Sequence, residues 1–430
     1  MLINKITQYF WKIENKIAFY PSLIAIWGVV FALLMVSAEQ YGISEYLQDA
    51  MPVLVINDLA TARVILSSLI GGLVSILVFS FSMVMIILNQ ASSNFSPRLL
   101  PGLISNKKHQ SILGIHLSGI FYCLITLISI EPTDENYQLP GFSVLVAIFF
   151  ITVSLAAFIY FIHSISQSIQ VEYILKSIFK SAKQRLLDLI ELDDKYQIRK
   201  ADNQAFSNTD DWHEYYMAQS GYIQTIHTNN LLKLTVDENT LIQVLPTKNT
   251  FLLEGLPIFK SKAKLDEKLV QTFMDQFLID NVESMDENYA MAFQLITEIG
   301  IKAMSPGIND PGTALTCIDY LTELLAMRIK KSDQMLISEN DQVKIEIKII
   351  SFKQLLYVIL APFRAYCSHD IIIVTKLLSM CEYLLMQECI NESYHQSIRQ
   401  EANEIINDAR EKLHNQQDIN VLDSQLAKFK

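Results

Sequence analysis

Four polar side chains stand a heptad apart in an otherwise apolar stretch: Ser68, Ser75, Ser82 and Asn89. At this spacing they share one face of a helix with only slow drift. Gly71 and Gly72 lie beside that face. Ser68 with Gly72, and Gly71 with Ser75, make small-xxx-small pairs. Two chemistries suit such a face. Small residues let helix backbones approach closely in lipid, giving a packing seam within or between subunits. Uncharged hydroxyls could instead wall a hydrated pathway for small ions or solutes. A further candidate is His116, an ionisable residue well inside another apolar segment. No intramembrane acid is present to pair with it, so a neutral histidine bonded to a serine or carbonyl is the competing expectation.

The elements that must position these groups are membrane spans. A bilayer core needs roughly 20 apolar residues in helix. Four segments qualify: Ile17 to Ala38, Val64 to about Asn89, about His109 to Ile130, and Phe142 to about His163. None contains Asp, Glu, Lys or Arg. In lipid the backbone must satisfy its own hydrogen bonds, so these segments are helices. The chain is 51% hydrophobic and 18% charged, with the apolar excess before about residue 170. The net charge of −11 argues against a nucleic-acid partner.

Basic and acidic flanks alternate along the chain. Lys5, Lys12 and Lys16 precede the first span, and Glu39, Glu45, Asp49 and Asp58 follow it. Arg98, Lys107 and Lys108 come next, then Glu131, Asp134 and Glu135, then Lys176, Lys180, Lys183 and Arg185. Arg63 is a lone base on the acidic side. The alternation places both termini in the cytoplasm of a cell whose inner membrane holds the spans. Val36-Ser37-Ala38 has the form of a signal-peptidase site. The apolar run before it is longer than a usual signal core and contains Pro21, so a retained helix is expected.

The predicted fold class is therefore a membrane α-helical part with four transmembrane helices, joined to a cytoplasmic α+β domain. Residues 1–170 form the transmembrane domain. Residues 171–215 form a connector helix and linker, the linker being the Asp- and Asn-rich stretch from Lys195 to Asp211. Residues 216–262 form a small β-rich unit, with strands at Gly221 to Ile226, Leu241 to Leu245 and Phe251 to Leu253. Asn230 is expected to cap a short helix between the first two. Residues 263–430 form a helical domain, helical almost throughout from Leu265. Its last helix, from about Ser393, is polar and expected to be only partly packed.

Two turn segments carry further candidates. The second span exits through Asn89-Gln90-Ala91-Ser92-Ser93-Asn94-Phe95-Ser96-Pro97-Arg98-Leu99-Leu100. Pro97 disfavours helix at Ser96, and Arg98 can reach lipid phosphate. Ser96, Pro97 and Arg98 thus read as an interfacial anchor or a cytoplasmic collar continuing the serine stripe. The other segment, Ala303-Met304-Ser305-Pro306-Gly307-Ile308-Asn309-Asp310-Pro311-Gly312-Thr313-Ala314, reads as a corner between two helices. Gly307 suits a left-handed terminus, Asp310 an N-cap and Pro311 a first-turn position. The new N-terminus could bind an anion, although the Asp310 carboxylate would compete for the same amides.

Together with Tyr160-Phe161-Ile162-His163-Ser164-Ile165 at the end of the fourth span, these strings resemble a bacterial family of predicted inner-membrane proteins, domain of unknown function 2254. The resemblance covers nearly the whole chain in the same order. It implies the architecture and the plasma-membrane location, and it supplies no activity and no catalytic residues. The sequence departs from the family pattern before Ser305. An arginine carried there is replaced around Asn281 to Glu283, so no anion role is carried over.

No P-loop, dinucleotide fingerprint or nucleophile elbow occurs. Trp212-His213-Glu214 lacks the second histidine of a zincin. Cys123, Cys317, Cys367, Cys381 and Cys389 form no CxxC pair and read as reduced small hydrophobes. We expect no metal, no cofactor and no enzyme. The leading expectation is a homo-oligomeric ion channel or passive transporter gated by its cytoplasmic domain. The alternative is a non-conducting membrane scaffold or sensor that binds a partner or ligand there.

Overall fold

The computed structural model describes residues 18–44, 46, 56, 58–94, 107–130, 141–168, 170–195, 205–248, 250–280, 289–339, 342–426 and 428–429. The chain divides into two compact units, Met1–Tyr173 and Ile174–Lys430.

The first unit holds α1 (Phe19–Gln40), α2 (Leu59–Asn94), α3 (Lys107–Ile128) and α4 (Gly141–Ser168). All four are long and apolar enough to cross a membrane. Three match the apolar runs closely. The second starts before Val64 because Asp58 accepts from the Thr61 amide at 2.7 Å and the Thr61 hydroxyl at 2.6 Å. This carboxylate stands at the positive end of the helix.

The close seam of this unit lies between α1 and α3. Pro21, Ala25, Gly28, Ala32 and Met35 form the buried stripe of α1. A Cβ on Gly28 would collide with Ser118 Oγ and stand 2.7 Å from Ser118 Cα. A Cβ on Gly114 would stand 2.9 Å from Ile24 Cβ. The two helices therefore meet nearly backbone to backbone, the geometry that small residues permit in lipid. Tyr122 stacks on Phe150 at 5.1 Å and donates to the Ser143 carbonyl at 3.0 Å.

One carboxylate fastens the end of this bundle. Glu39, buried at the C-terminal end of α1, accepts from the Ser143 amide at 2.8 Å, the Ser143 hydroxyl at 2.7 Å and the Ser44 hydroxyl at 2.5 Å. It thereby satisfies an amide in the first turn of α4, which has no partner within its own helix. Glu39→Ala leaves these donors without an acceptor and is expected to cost about 1–3 kcal/mol. Thermal melting of the purified protein should fall measurably, while Glu39→Gln, which keeps an acceptor oxygen, should fall less. Equal melting of all three proteins would remove the cap.

The second unit begins with α5 (Val171–Lys195), which crosses the boundary between the units, and continues with β1 (His213–Tyr216), β2 (Gly221–Ile226), α6 (Thr228–Asp237), β3 (Ile242–Val244), β4 (Phe251–Leu252) and β5 (Pro257–Ser261). Next come α7 (Glu267–Met274), β6 (Phe277–Asp280), α8 (Tyr289–Ala303), α9 (Pro311–Arg328), β7 (Gln334–Glu339) and β8 (Gln342–Lys348). The chain ends with α10 (Phe352–Cys367), α11 (Ile371–Leu385), α12 (Glu392–Lys412) and α13 (Gln416–Leu426). One sheet has the order β1-β5-β3-β8-β7, and a smaller one the order β4-β2-β6. All pairs are antiparallel except β3–β8, where Ile242 faces Ile345. Ile223, Ile242, Val244, Phe259, Phe273 and Ile345 share one core. The helices α8 to α12 form a separate bundle around Phe293, Leu321, Phe363, Leu377 and Ile398, all fully buried. Ser351 and Gln354 make a capping box at α10, and Asp370 and Asn391 cap α11 and α12.

Four expectations are corrected. The region after Leu265 is not helical almost throughout, because β6, β7 and β8 interrupt it. Val343, Ile345 and Ile347 alternate and bury one face of β8, the period-2 pattern of a strand. The segment read as a linker is not loose at its end. Phe206 and Trp212 are buried against Leu336 and Val343, while residues 196–204 lie outside those described. The short helix starts at Thr228 with His227 at its N-cap, ahead of Asn230, and no side chain caps it. The polar α12 is fully packed along Ile398, Ala402, Ile406 and Ala409.

Candidate functional site

The heptad face of α2 points out of the four-helix unit. Ser68, Gly71, Gly72, Ser75, Ser82 and Asn89 are all exposed. A Cβ on Gly71 or Gly72 would meet no atom within 4 Å. Val78, Phe79, Met85 and Ile86 are exposed on the same helix. The stripe is therefore not the packing seam within the unit, a role that Gly28 and Gly114 fill. Two of its hydroxyls bond within the helix. Ser75 donates to the Gly71 carbonyl at 2.8 Å and Ser82 to the Val78 carbonyl at 2.9 Å, as a hydroxyl in an apolar setting must. What remains outward is an uncharged strip of serine and glycine with oxygen lone pairs along it.

His116 sits fully buried inside the unit, and neither ring nitrogen has a partner among the described residues. The bond to a serine or carbonyl expected for it is not made. Instead His109 carries that contact, with Nε2 3.1 Å from Ser164 Oγ. The hydroxyls of Ser80 and Ser154 are likewise buried without a partner. Polar groups on α2, α3 and α4 thus lie in the interior of the unit, apart from the exposed strip. The collar residues Ser96, Pro97 and Arg98 lie outside the described residues.

In the second unit the SPGINDP corner forms between α8 and α9. Asn309 takes the left-handed conformation at φ 50°, and Gly307 does not. Asparagine tolerates this region by local hydrogen bonding. Asp310 accepts from the Thr313 hydroxyl at 2.6 Å and the Thr313 amide at 3.1 Å. These bonds hold its carboxyl below the usual range. The first-turn amides of α9 are thus occupied by the chain's own carboxylate. Ser305 donates to Lys302, and Pro311 takes the first helical position. The corner is a helix junction, and its geometry reserves no place for an anion.

The second unit also carries a cleft that no sequence motif marks. A cleft of about 430 Å³ opens between α10 and α12, lined by Lys353, Tyr357, Arg364, Gln400, Glu401 and Glu404. Arg364 lies 3.6 Å from Glu401 and 3.4 Å from Asp408. Burial, and then repulsion by Glu404 and Asp408, push the Glu401 carboxyl up, against the pull of Arg364. The faces Tyr357–Arg364 and Glu401–Glu404–Asp408 repeat at helical spacing. Only the pairing of the two helices makes them one site. Cys317, Cys367 and Cys381 are buried, which pushes their thiols up to about 12, 11 and 12 and leaves them unreactive.

The four apolar helices followed by an α+β region give the architecture, and comparison with known families agrees with it. The predicted membrane protein family DUF2254 matches residues 14–383. The chain belongs to this family. Uncharacterized proteins of Mycobacterium bovis and Mycobacterium tuberculosis are 23% identical to this DUF2254 protein over 345 residues, or 77% of this chain and 65% of theirs. The chain thus spans just under two thirds of the length of these relatives. No solved structure matches it.

Proposed function

We propose that this DUF2254 protein assembles in the bacterial inner membrane, both termini cytoplasmic, as a homo-oligomeric channel or passive transporter for small ions or solutes. The observation that carries the reading is the uncovered α2 strip, with open space above Gly71 and Gly72. The α1–α3 seam itself is closed by near backbone contact at Gly28 and Gly114. Copies meeting along α2 would close a pathway between subunits, walled by serine and glycine. Such a wall offers hydrogen-bond acceptors and no fixed charge, which suits passage with weak selectivity. The cytoplasmic unit would assemble and gate it, without catalysis.

The test is ion flux through purified protein in liposomes, with Ser75→Leu alongside. The expected result is flux that falls at least tenfold in the variant at equal incorporation. Flux that is unchanged would remove α2 from the pathway. The α10–α12 cleft, with cations and carboxylates facing one another, supports a second reading as a non-conducting ligand sensor. Absence of flux in several salts, joined to ligand-dependent protection of α10 and α12 in hydrogen exchange, would favour it.

A further inference from the structure

Three residues near the start of α12 carry chemistry that the functions above do not use. The Cys389 thiol, a Glu392 carboxylate oxygen and a His395 ring nitrogen all lie within 4.8 Å of one another. The spacing is three residues at each step, so one helical turn and the turn before it bring the groups to one side. Cys389 is half-exposed, unlike Cys123, Cys317, Cys367 and Cys381, which are buried.

The histidine tautomer is fixed by its surroundings. His395 Nε2 lies 3.1 Å from the Gln387 carbonyl. A carbonyl only accepts, so Nε2 carries the proton. In the neutral ring Nδ1 then keeps its lone pair, and it lies 3.7 Å from Glu392 Oε2. Two lone-pair atoms at that distance leave room for a cation between them. The spacing suits a metal, because two ligands on a tetrahedral ion with zinc-length bonds stand about 3.4 Å apart. The carbonyl bond on the far nitrogen is the usual support of a metal-binding imidazole. The charge balances as well: a thiolate and a carboxylate neutralise a divalent ion, and both anions are favoured at a helix N-terminus.

We propose that Cys389, Glu392 and His395 bind one divalent ion of the zinc class, with solvent completing the coordination. The Glu392 side chain is 88% exposed and the His395 side chain 16%, so the site opens to water on the carboxylate side. The Ile390 amide donates to the Ile329 carbonyl at 3.3 Å, which ties this turn to the end of α9. A bound ion would lock the turn joining α11 and α12 onto that helix end.

The experiment is titration of the full-length protein in detergent with cobalt(II) alone, then displacement by zinc(II). The expected result is one ion per chain and an ultraviolet sulfur-to-cobalt charge-transfer band that zinc abolishes. Cys389→Ser should lose the band. Glu392→Gln, at a solvent-exposed position where folding is safe, should weaken binding roughly tenfold or more, since a direct ligand matters at least as much as the outer partners whose loss costs about 10–100-fold. A wild-type spectrum without the sulfur band, or uptake unchanged in both variants, would overturn the site and show His395 and Glu392 to be an ordinary ion pair.

Discussion

Replacing Gly28 by leucine is expected to prevent recovery of a folded membrane unit. The obstacle is backbone, not a flexible tip: even the first added carbon would stand 2.7 Å from Ser118 Cα. Rotamer changes cannot relieve such a contact, so α1 and α3 must separate along the seam that Ala25 and Ala32 also line. Overpacking in a fixed interior costs about 1–3 kcal/mol and occasionally more. Gly28→Ala should fall in that range, and leucine well beyond it. The matched control is Gly72→Leu, where nothing stands within 4 Å of the added carbon. That variant should fold, and only its assembly or flux should change. Size-exclusion profiles and thermal aggregation of the two proteins read the contrast directly. Equal behaviour of Gly28→Leu and wild type would mean that the α1–α3 seam is not as close as described.

Arg328→Met should lower the unfolding temperature of the second unit by about 6–12 °C. Arg328 is fully buried at the end of α9. It donates to the Tyr289 hydroxyl at 3.1 Å, the Lys331 carbonyl at 2.7 Å, the Asp333 carboxylate at 2.6 Å and the Ile350 carbonyl at 3.0 Å. Asp333 in turn accepts from the Phe352 amide at 2.8 Å, so this one guanidinium links α8, α9, β7 and the start of α10. Breaking a buried pair from one side costs about 3–5 kcal/mol. Asp333 is 32% exposed and partly hydrated, which places the expectation near the lower end. About 3 kcal/mol shifts a unit of this size by about 6–12 °C. The exposed pair Lys376–Asp319 is the comparison, and Asp319→Ala should cost about 0–1 kcal/mol. If the two variants melt within about 2 °C of each other, the buried network contributes no more than a surface pair.

The spans were legible because lipid imposes a single rule, about 20 uncharged apolar residues, and Phe142 to His163 obeys it without exception. The junction at Asp310-Pro311 was legible because a cap is a local device. The direction of the α2 strip was not. Spacing by sevens shows that Ser68, Ser75 and Ser82 share a face, and says nothing about what the face meets. The true seam has a weaker signal, only Ala25, Gly28 and Ala32 among large residues. Val343, Ile345 and Ile347 alternate plainly, yet their run is short and lies between long helical segments. Arg328 reads as a surface residue at a helix end, since no local pattern marks a buried guanidinium. The cleft and the Cys389 cluster depend on which helices pair and how a turn folds back. A pattern along one helix does not contain that information.

The parallel pairing of β3 with β8 has a consequence for synthesis. Ile242 waits for Ile345, a partner about a hundred residues downstream, with α8 and α9 made in between. At about 5–20 residues per second the ribosome needs on the order of 5–20 seconds to deliver it. During that interval β3 has β5 on one side and a bare row of amides and carbonyls on the other. A nascent chain tethered to the membrane by its first spans holds that edge near other chains being inserted, where a free edge is most prone to pair wrongly. The arrival of β8 closes the sheet and ends the exposure. The window for misassembly is therefore set by translation speed across residues 245–342, not by the stability of the finished fold.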